Sequence, residues 1–142
     1  MFKTVLVGAD DSVTAARAVS TAVELVKATA GNLHVVTVYN LPAISSELVT
    51  GDYMETMAKA ADQLLEKLRQ GIVKEGVEAH YHRVSGPPAE AIVRVADDIG
   101  ADLIVVGNKG MRGMRRVLGS VPNSVAHQAN CSLLIVDTVG DH

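Results

Sequence analysis

The chain has 142 residues, of which 48% are hydrophobic and 20% are charged, a composition typical of one globular domain and not of a disordered segment. Its formal net charge of −3 excludes an overall basic field that would attract nucleic acid or an acidic membrane. The lone cysteine, Cys131, excludes an internal disulfide and suits a reducing compartment. Apolar runs reach only strand length, and the amino-terminal residues lack the apolar core of a signal peptide, so we expect a cytoplasmic protein.

Five strands are predicted from short runs rich in Val, Ile and Leu, at residues 4–9, 33–39, 77–84, 103–107 and 132–136. Four of these runs show little alternation, which is typical of parallel strands buried on both faces. The run at 77–84 alternates polar and apolar residues, which predicts a strand nearer the edge of the sheet. The final run is apolar and is followed by only a short tail, so we expect an edge strand that can pair with a second chain.

Helical periodicity fills the intervals between the strands. One apolar stripe runs from Ala15 to Val26, and a second carries Met54 and Met57, which we expect to pack in the core. The helix starts are marked by Ser12, Pro87-Pro88 and Gly119-Ser120. Strict alternation of strands and helices predicts an α/β fold, a parallel five-stranded sheet with helices on both faces, in a flavodoxin-like or adenine nucleotide alpha hydrolase-like three-layer sandwich.

The segment between the fourth strand and the last helix is the most informative for function. It contains four glycines, Gly107, Gly110, Gly113 and Gly119, together with the cations Lys109, Arg112, Arg115 and Arg116. Amide groups that glycine leaves accessible, followed by a helix start at Ser120, are typical of a phosphate site. A tight turn with solvated cations is the alternative. Neither a GxGxxG nor a GxxxxGK[ST] motif is present, so neither a dinucleotide fold nor a P-loop is indicated.

Three pieces of the sequence resemble the universal stress protein family, and together they span nearly the whole chain. Residues 7–12 are similar to the family's strand ending in Asp-Gly-Ser, with Asp11 where the family has glycine. Residues 86–92 resemble its G-x-P-A-E-x-I helix entry. Residues 101–120 resemble the G-x2-G-x9-G-[ST] signature of ATP-binding members, with eight residues instead of nine between Gly110 and Gly119.

The resemblance implies a universal stress protein domain over residues 1–139, a short tail at 140–142, and ATP bound with Mg²⁺ or Mn²⁺. Ala9 and Val38 would flank the adenine, and Asp10 would lie beside the ribose. Glycines and Ser120 would surround the phosphates, with a backbone amide from Val121. The implied nucleotide-binding residues are therefore Ala9, Asp10, Val38, Gly107, Lys109, Gly110, Gly119, Ser120 and Val121, with no metal ligand from the protein and no assigned catalytic residue.

Three functions stay open at this stage. The leading interpretation is a nucleotide-binding regulator of the stress response that forms a homodimer through Ser132–Val136. The second is a slow ATPase, with Asp10 or Asp11 as the only evident general base. The third is an interaction module that has lost ATP, or a binder of another adenine nucleotide such as cyclic AMP.

Two histidines on the third predicted strand could begin a metal site. His80 and His82 lie two residues apart on one predicted strand and therefore on one face. The sequence offers no evident third ligand near them, which favours exposed or interface histidines. His34, at the start of another strand, is expected to be structural.

Overall fold

Strands and helices alternate along the chain in the predicted order. The computed structural model describes residues 1–10, 13–39, 51–108 and 120–137. The strands are β1 (Thr4–Gly8), β2 (Asn32–Tyr39), β3 (Ala79–Ser85), β4 (Leu103–Gly107) and β5 (Ser132–Val136). The helices are α1 (Val13–Thr29), α2 (Gly51–Lys74), α3 (Pro88–Ile99) and α4 (Ser120–Gln128). No helix within these ranges is both long enough and apolar enough to cross a membrane.

All five strands belong to one parallel sheet with the order β3-β2-β1-β4-β5. The α/β prediction is therefore confirmed, and β3 and β5 are the two edge strands, as expected from their sequences. On one face of the sheet α1 and α2 cover a cluster that includes Val5, Val7 and Val35. On the opposite face α3 and α4 cover Leu6 and Ile104. Because the central strands are buried on both faces, their sequences are continuously apolar.

The direction of winding reverses between two central strands. From β1 the chain crosses to β2 and then β3 on one side, whereas β4 and β5 lie on the other side of β1. Such a reversal leaves the connections at the carboxyl ends of β1 and β4 diverging toward opposite faces, which opens a crevice there. The fold therefore offers a place for a ligand before any side chain is considered.

Helix α3 begins and ends where its sequence predicts. Pro87 stands at the N-cap with φ −60° and ψ 128°, so Pro88 occupies the first turn, where its missing N–H is tolerated. Gly100 ends the helix in the left-handed conformation, with φ 69°, which glycine adopts without steric cost. Because α3 begins shortly after β3 ends, its first turn lies at the carboxyl end of the sheet.

Helix α2 corrects one prediction. Met54 was expected in the core, but it is 41% exposed, and Met57 is only half-buried. The first fully buried residue of this 24-residue helix is Ala61. At 1.5 Å per residue the helix is roughly 36 Å long, longer than the strands it covers. Its amino-terminal turns therefore extend past the packed surface, although their apolar periodicity continues.

Candidate functional site

A cavity of about 300 Å³ opens at the carboxyl end of the sheet, where the winding direction reverses. Three neighbouring strands, β2, β1 and β4, supply its floor, and the first turns of α3 and α4 supply its sides. The lining residues are Gly8, Ala9, Asp10, Ala15, Val36, Val38, Pro88, Ile92, Val106, Gly107, Ser120, Val121 and Pro122. Its volume is at the lower end of the range typical of small-molecule sites.

The walls of the cavity are mostly apolar. Val36 and Val38 lie on the same face of β2, because side chains alternate along a strand. Val36 is fully buried and Val38 is half-buried at the opening. Ile92 from α3 and Val106 from β4 close the opposite side. This surface suits a flat, weakly polar ring system better than a highly charged group.

Gly8, the last residue of β1, is needed for this packing. A Cβ atom at this position would lie 3.2 Å from the Cδ1 atom of Ile92 and 3.6 Å from the Cγ1 atom of Val106. The first distance is tighter than ordinary van der Waals contact, so a side chain here would displace Ile92. The absence of a side chain lets α3 approach the end of β1 and keeps the floor of the cavity open.

The polar groups of the cavity lie at its opening. The Ala9 N–H donates to the Val36 carbonyl oxygen at 2.9 Å, which extends the β1–β2 pairing by one residue and positions Asp10 just beyond it. Asp10 is exposed, as is Ser120, the first residue of α4. The first turn of a helix has N–H groups without intrahelical partners and carries partial positive charge. Pro122 has no N–H, so Ser120 and Val121 supply the amides at this side of the cavity.

Six of the nine residues implied by the sequence line this one cavity: Ala9, Asp10, Val38, Gly107, Ser120 and Val121. The other three, Lys109, Gly110 and Gly119, lie outside the described residues, as do Ser12, the segment 40–50 and the arginines at 112, 115 and 116. The sequence therefore predicted parts of four different elements that the fold brings together.

Comparison with known proteins gives the family. A family model described as "Universal stress protein family" matches residues 1–137. The chain belongs to the universal stress protein family. One relative, Universal stress protein YxiE of Bacillus subtilis (strain 168), is 30% identical over an alignment of 147 residues that covers 96% of this chain and 99% of that protein.

Two solved structures of family members carry information about ligands. One, a universal stress protein in complex with cAMP, is 33% identical, has a TM-score of 0.76, and is matched over 96% of this chain and 98% of its own. Another, the universal stress protein from Archaeoglobus fulgidus in complex with dAMP, is 26% identical, has a TM-score of 0.70, and is matched over 94% of this chain and 97% of its own. Both of those proteins hold an adenine nucleotide.

The cavity residues that sequence reasoning missed are mainly hydrophobic. Val36, Ile92 and Val106 were assigned to the core, and they do pack there with exposures of 0%, 5% and 4%. Pro88 was assigned only to a helix start, and Pro122 was given no role. For Val36 a signal was available, because it lies two residues before Val38 on the same predicted strand and therefore on the same face. For the others, no local pattern distinguishes a core residue from one whose outer surface lines a cavity.

The three histidines considered in the sequence, His34, His80 and His82, lie together. His34 on β2 contacts both His80 and His82 on β3, with ring centroids 4.6 Å and 5.2 Å apart. Across the described ranges, however, no three His, Cys, Asp or Glu side chains are arranged to hold a metal ion. The missing signal was the β2–β3 register, which places His34 opposite His80.

Proposed function

We propose that this family member binds ATP, together with Mg²⁺ or Mn²⁺, in the cavity at the carboxyl end of the sheet, as a nucleotide-binding regulator of the stress response. The observation that carries the proposal is the convergence of six residues from β1, β2, β4 and α4 on one cavity. They come from separate parts of the sequence, and each was implied by the resemblance to the universal stress protein family.

Different groups in the cavity suit the adenine, the ribose and the phosphates of the ligand. Val36 and Val38 offer apolar surface for the adenine ring. The Asp10 carboxylate can accept hydrogen bonds from ribose hydroxyls, and charge-assisted bonds of this kind are among the stronger ones. Gly107 and the amides of Ser120 and Val121 face the phosphate end, where the start of α4 favours negative charge. Lys109, Gly110 and Gly119 are proposed to complete this phosphate site.

The divalent ion is proposed to arrive with the nucleotide. Over the described ranges no set of three side chains could hold a metal by itself. Among the described residues that line the cavity, Asp10 is the only carboxylate, so the protein would supply few ligands and the phosphate oxygens most. When bound, the ion would neutralise part of the phosphate charge.

A second candidate ligand is cyclic AMP. The 33% identical family member in complex with cAMP favours it, and the dAMP complex extends the same argument to another adenine mononucleotide. These smaller ligands need less of the phosphate site than ATP does. Slow hydrolysis of ATP remains the enzymatic alternative, with Asp10 or Asp11 as the candidate general base. Of the two, Asp10 lies within the described residues and lines the cavity.

We also propose that two copies pair through β5. The strand lies at the edge of the sheet, its sequence Ser-Leu-Leu-Ile-Val has no charged residue, and four of its five side chains are half-buried. An apolar edge strand without charges is a template for pairing with another strand. The lone Cys131, which is free and half-buried, suits action in the reducing cytoplasm.

The direct test begins with mass spectrometry of small molecules released from freshly purified, denatured protein. Calorimetric titrations with magnesium ATP, cyclic AMP and dAMP follow. A Val121→Trp variant, which fills the cavity opening, should lose binding, whereas Val73→Trp at a 51% exposed position on α2 should not.

Three outcomes separate the candidates. Stoichiometric ATP or ADP, lost in Val121→Trp, supports the ATP proposal, and phosphate release then decides whether hydrolysis occurs. Tighter binding of cyclic AMP than of ATP favours the second candidate. A protein that ignores all three nucleotides, or one whose affinity survives Val121→Trp, contradicts the proposed site.

A further inference from the structure

Three imidazole rings form a cluster on the β2–β3 side of the sheet, and we name His34, His80 and His82 the histidine cluster. His34 and His80 are register partners on neighbouring parallel strands, and His82 follows two residues later on the same face. The ring of His34 stacks against His80 with an interplanar angle of 24° and against His82 with an angle of 19°. The cluster therefore bridges the edge strand β3 to its neighbour β2.

A hydrogen bond inside the cluster depends on its protonation state. The Nδ1 atom of His34 lies 2.9 Å from the Nε2 atom of His82. A neutral imidazole has one donor and one acceptor nitrogen, so two neutral rings can form an N–H···N bond. When both rings are protonated, both facing nitrogens are donors and the bond cannot form. Two positive charges would then also repel each other at a ring separation of 5.2 Å.

The surroundings favour the neutral rings. Burial, followed by the charges of His80 and His82, lowers the pKa of His34 from 6.5 to about 4. Burial and then the charge of His80 lower the pKa of His82. No carboxylate in the described ranges acts to raise either pKa.

Charged groups on the packed elements do not offset this effect. On β1 the register partner of His34 is the apolar Leu6. Glu78, two residues before His80, is exposed and is not a source of either shift in pKa. Helix α3 covers this face and carries four exposed charged residues that likewise do not contribute, Glu90, Arg94, Asp97 and Asp98.

Apart from its backbone pairing with β2, strand β3 is held only by partly buried side chains. As an edge strand it pairs on one side only, with β2. None of its seven side chains is fully buried, whereas β1 and β4 each have at least three that are. The ion pair between Arg83 on β3 and Asp62 on α2 is exposed and therefore weak. Loss of the cluster's hydrogen bond removes a side-chain polar contact across the β2–β3 boundary and leaves the backbone pairing of residues 33–39 with residues 79–85 to hold the strand.

We propose that the histidine cluster is an acid-sensitive contact that holds β3 against β2. When His34 and His82 both become protonated, the contact is lost and the edge strand β3 separates from β2. The direction follows from linkage. In the opened or unfolded chain these rings return to a pKa of about 6.5 and bind more protons than the folded cluster does. The stabilising contribution is therefore complete above about pH 6.5 and is lost as the pH falls toward 4.

The test is hydrogen–deuterium exchange of peptides from β3, compared with β1, between about pH 7 and about pH 5. EDTA in every sample excludes bound metal, and exchange rates are corrected for the intrinsic effect of pH. We expect protection of β3 to fall about tenfold or more over this range, while β1 changes less. The double variant His34→Gln/His82→Gln keeps groups that can donate and accept but cannot titrate here, so its β3 protection should lose most of this pH dependence.

The matched control is His127→Gln, which removes an exposed histidine from α4 and should behave as the unmodified protein does. If the double variant fails to fold, the single variant His82→Gln provides the comparison, because this position is only half-buried. The proposal is overturned if β3 protection in the unmodified protein does not depend on pH. It is also overturned if the glutamine variants retain the same dependence.

Discussion

The central and edge strands of this sheet have the same direction and similar lengths but differ in what their side chains do. In β1 and β4 the side chains of Val5, Leu6, Val7, Ile104 and Val105 are 0% exposed, and they serve packing alone. The two edges differ again from each other. β3 carries histidines and Arg83, whereas β5 carries no charge. The centre of the sheet thus sets stability and places the cavity, while each edge has side chains available for a separate task.

Core truncation should give the largest difference between centre and edge. Leu6→Ala on β1 removes a fully buried side chain and should cost about 2–5 kcal/mol of unfolding free energy, because a cavity remains. Leu133→Ala on β5 removes a half-buried side chain that packs on the same cluster and should cost less than half as much. Urea unfolding monitored by circular dichroism measures both. Equal losses would show that the edge is as tightly packed as the centre.

A lysine on each edge should distinguish their roles in association. Leu134→Lys on β5 would bring two like charges together if two copies pair there, and we expect dimer affinity to fall on the order of 100-fold. Ser85→Lys, at an exposed position on β3 outside the histidine cluster, should leave association unchanged. Sedimentation velocity over a range of concentrations gives the oligomeric state, with circular dichroism as the folding control. A dimer that survives the first change or dissociates after the second contradicts pairing through β5.

The carboxylate at the cavity should have a smaller, ligand-specific effect. Asp10→Asn should weaken ATP binding about tenfold, because a charge-assisted hydrogen bond becomes a neutral one. The exposed Glu78, near the amino end of β3, gives the matched control Glu78→Gln. Titration with dideoxy-ATP sharpens the result. If the unmodified protein binds ATP and dideoxy-ATP equally well, Asp10 does not contact the ribose.

The smallest effect is expected from the ion pair on the β3 side. The Arg83 Nη1 atom lies 2.7 Å from the Asp62 Oδ2 atom, but the side chains are 40% and 58% exposed. Arg83→Gln should therefore cost less than about 1 kcal/mol of unfolding free energy, and the difference should shrink further at high salt. Urea unfolding at low and high salt checks both statements. A loss comparable to that of Leu6→Ala would mean that the edge depends on charge far more than its exposure indicates.

The sequence was sufficient for the fold because the central strands are buried on both faces, which leaves continuous runs of Val, Ile and Leu. Helix starts at Pro88 and Ser120 were also predictable, since Pro, Gly and Ser act locally on the backbone. Met54 was misassigned because apolar periodicity says nothing about where the sheet beneath a helix ends. Apolar periodicity shows which face of a helix is hydrophobic, and only the packed structure shows whether another element covers that face.

The site residues that could be predicted from the sequence are those at or just after the ends of strands. Asp10 and Gly107 directly follow or end parallel strands, so their meeting at one edge of the sheet could be expected. Ile92 could not be distinguished from other core residues of α3. The contact between His34 and His82 joins residues 48 positions apart and depends on strand order and register. Neither is encoded in a local pattern.

We propose that an adenine nucleotide binds at the carboxyl ends of β1 and β4 and not at either edge of the sheet. Amide chemical-shift mapping by NMR during a titration with magnesium ATP tests this most directly. We predict the largest shifts at Ala9, Val38, Gly107 and Val121, with His80 and His82 little changed. Shifts concentrated on β3 or α2, or no saturable shifts anywhere, would contradict nucleotide binding at this cavity.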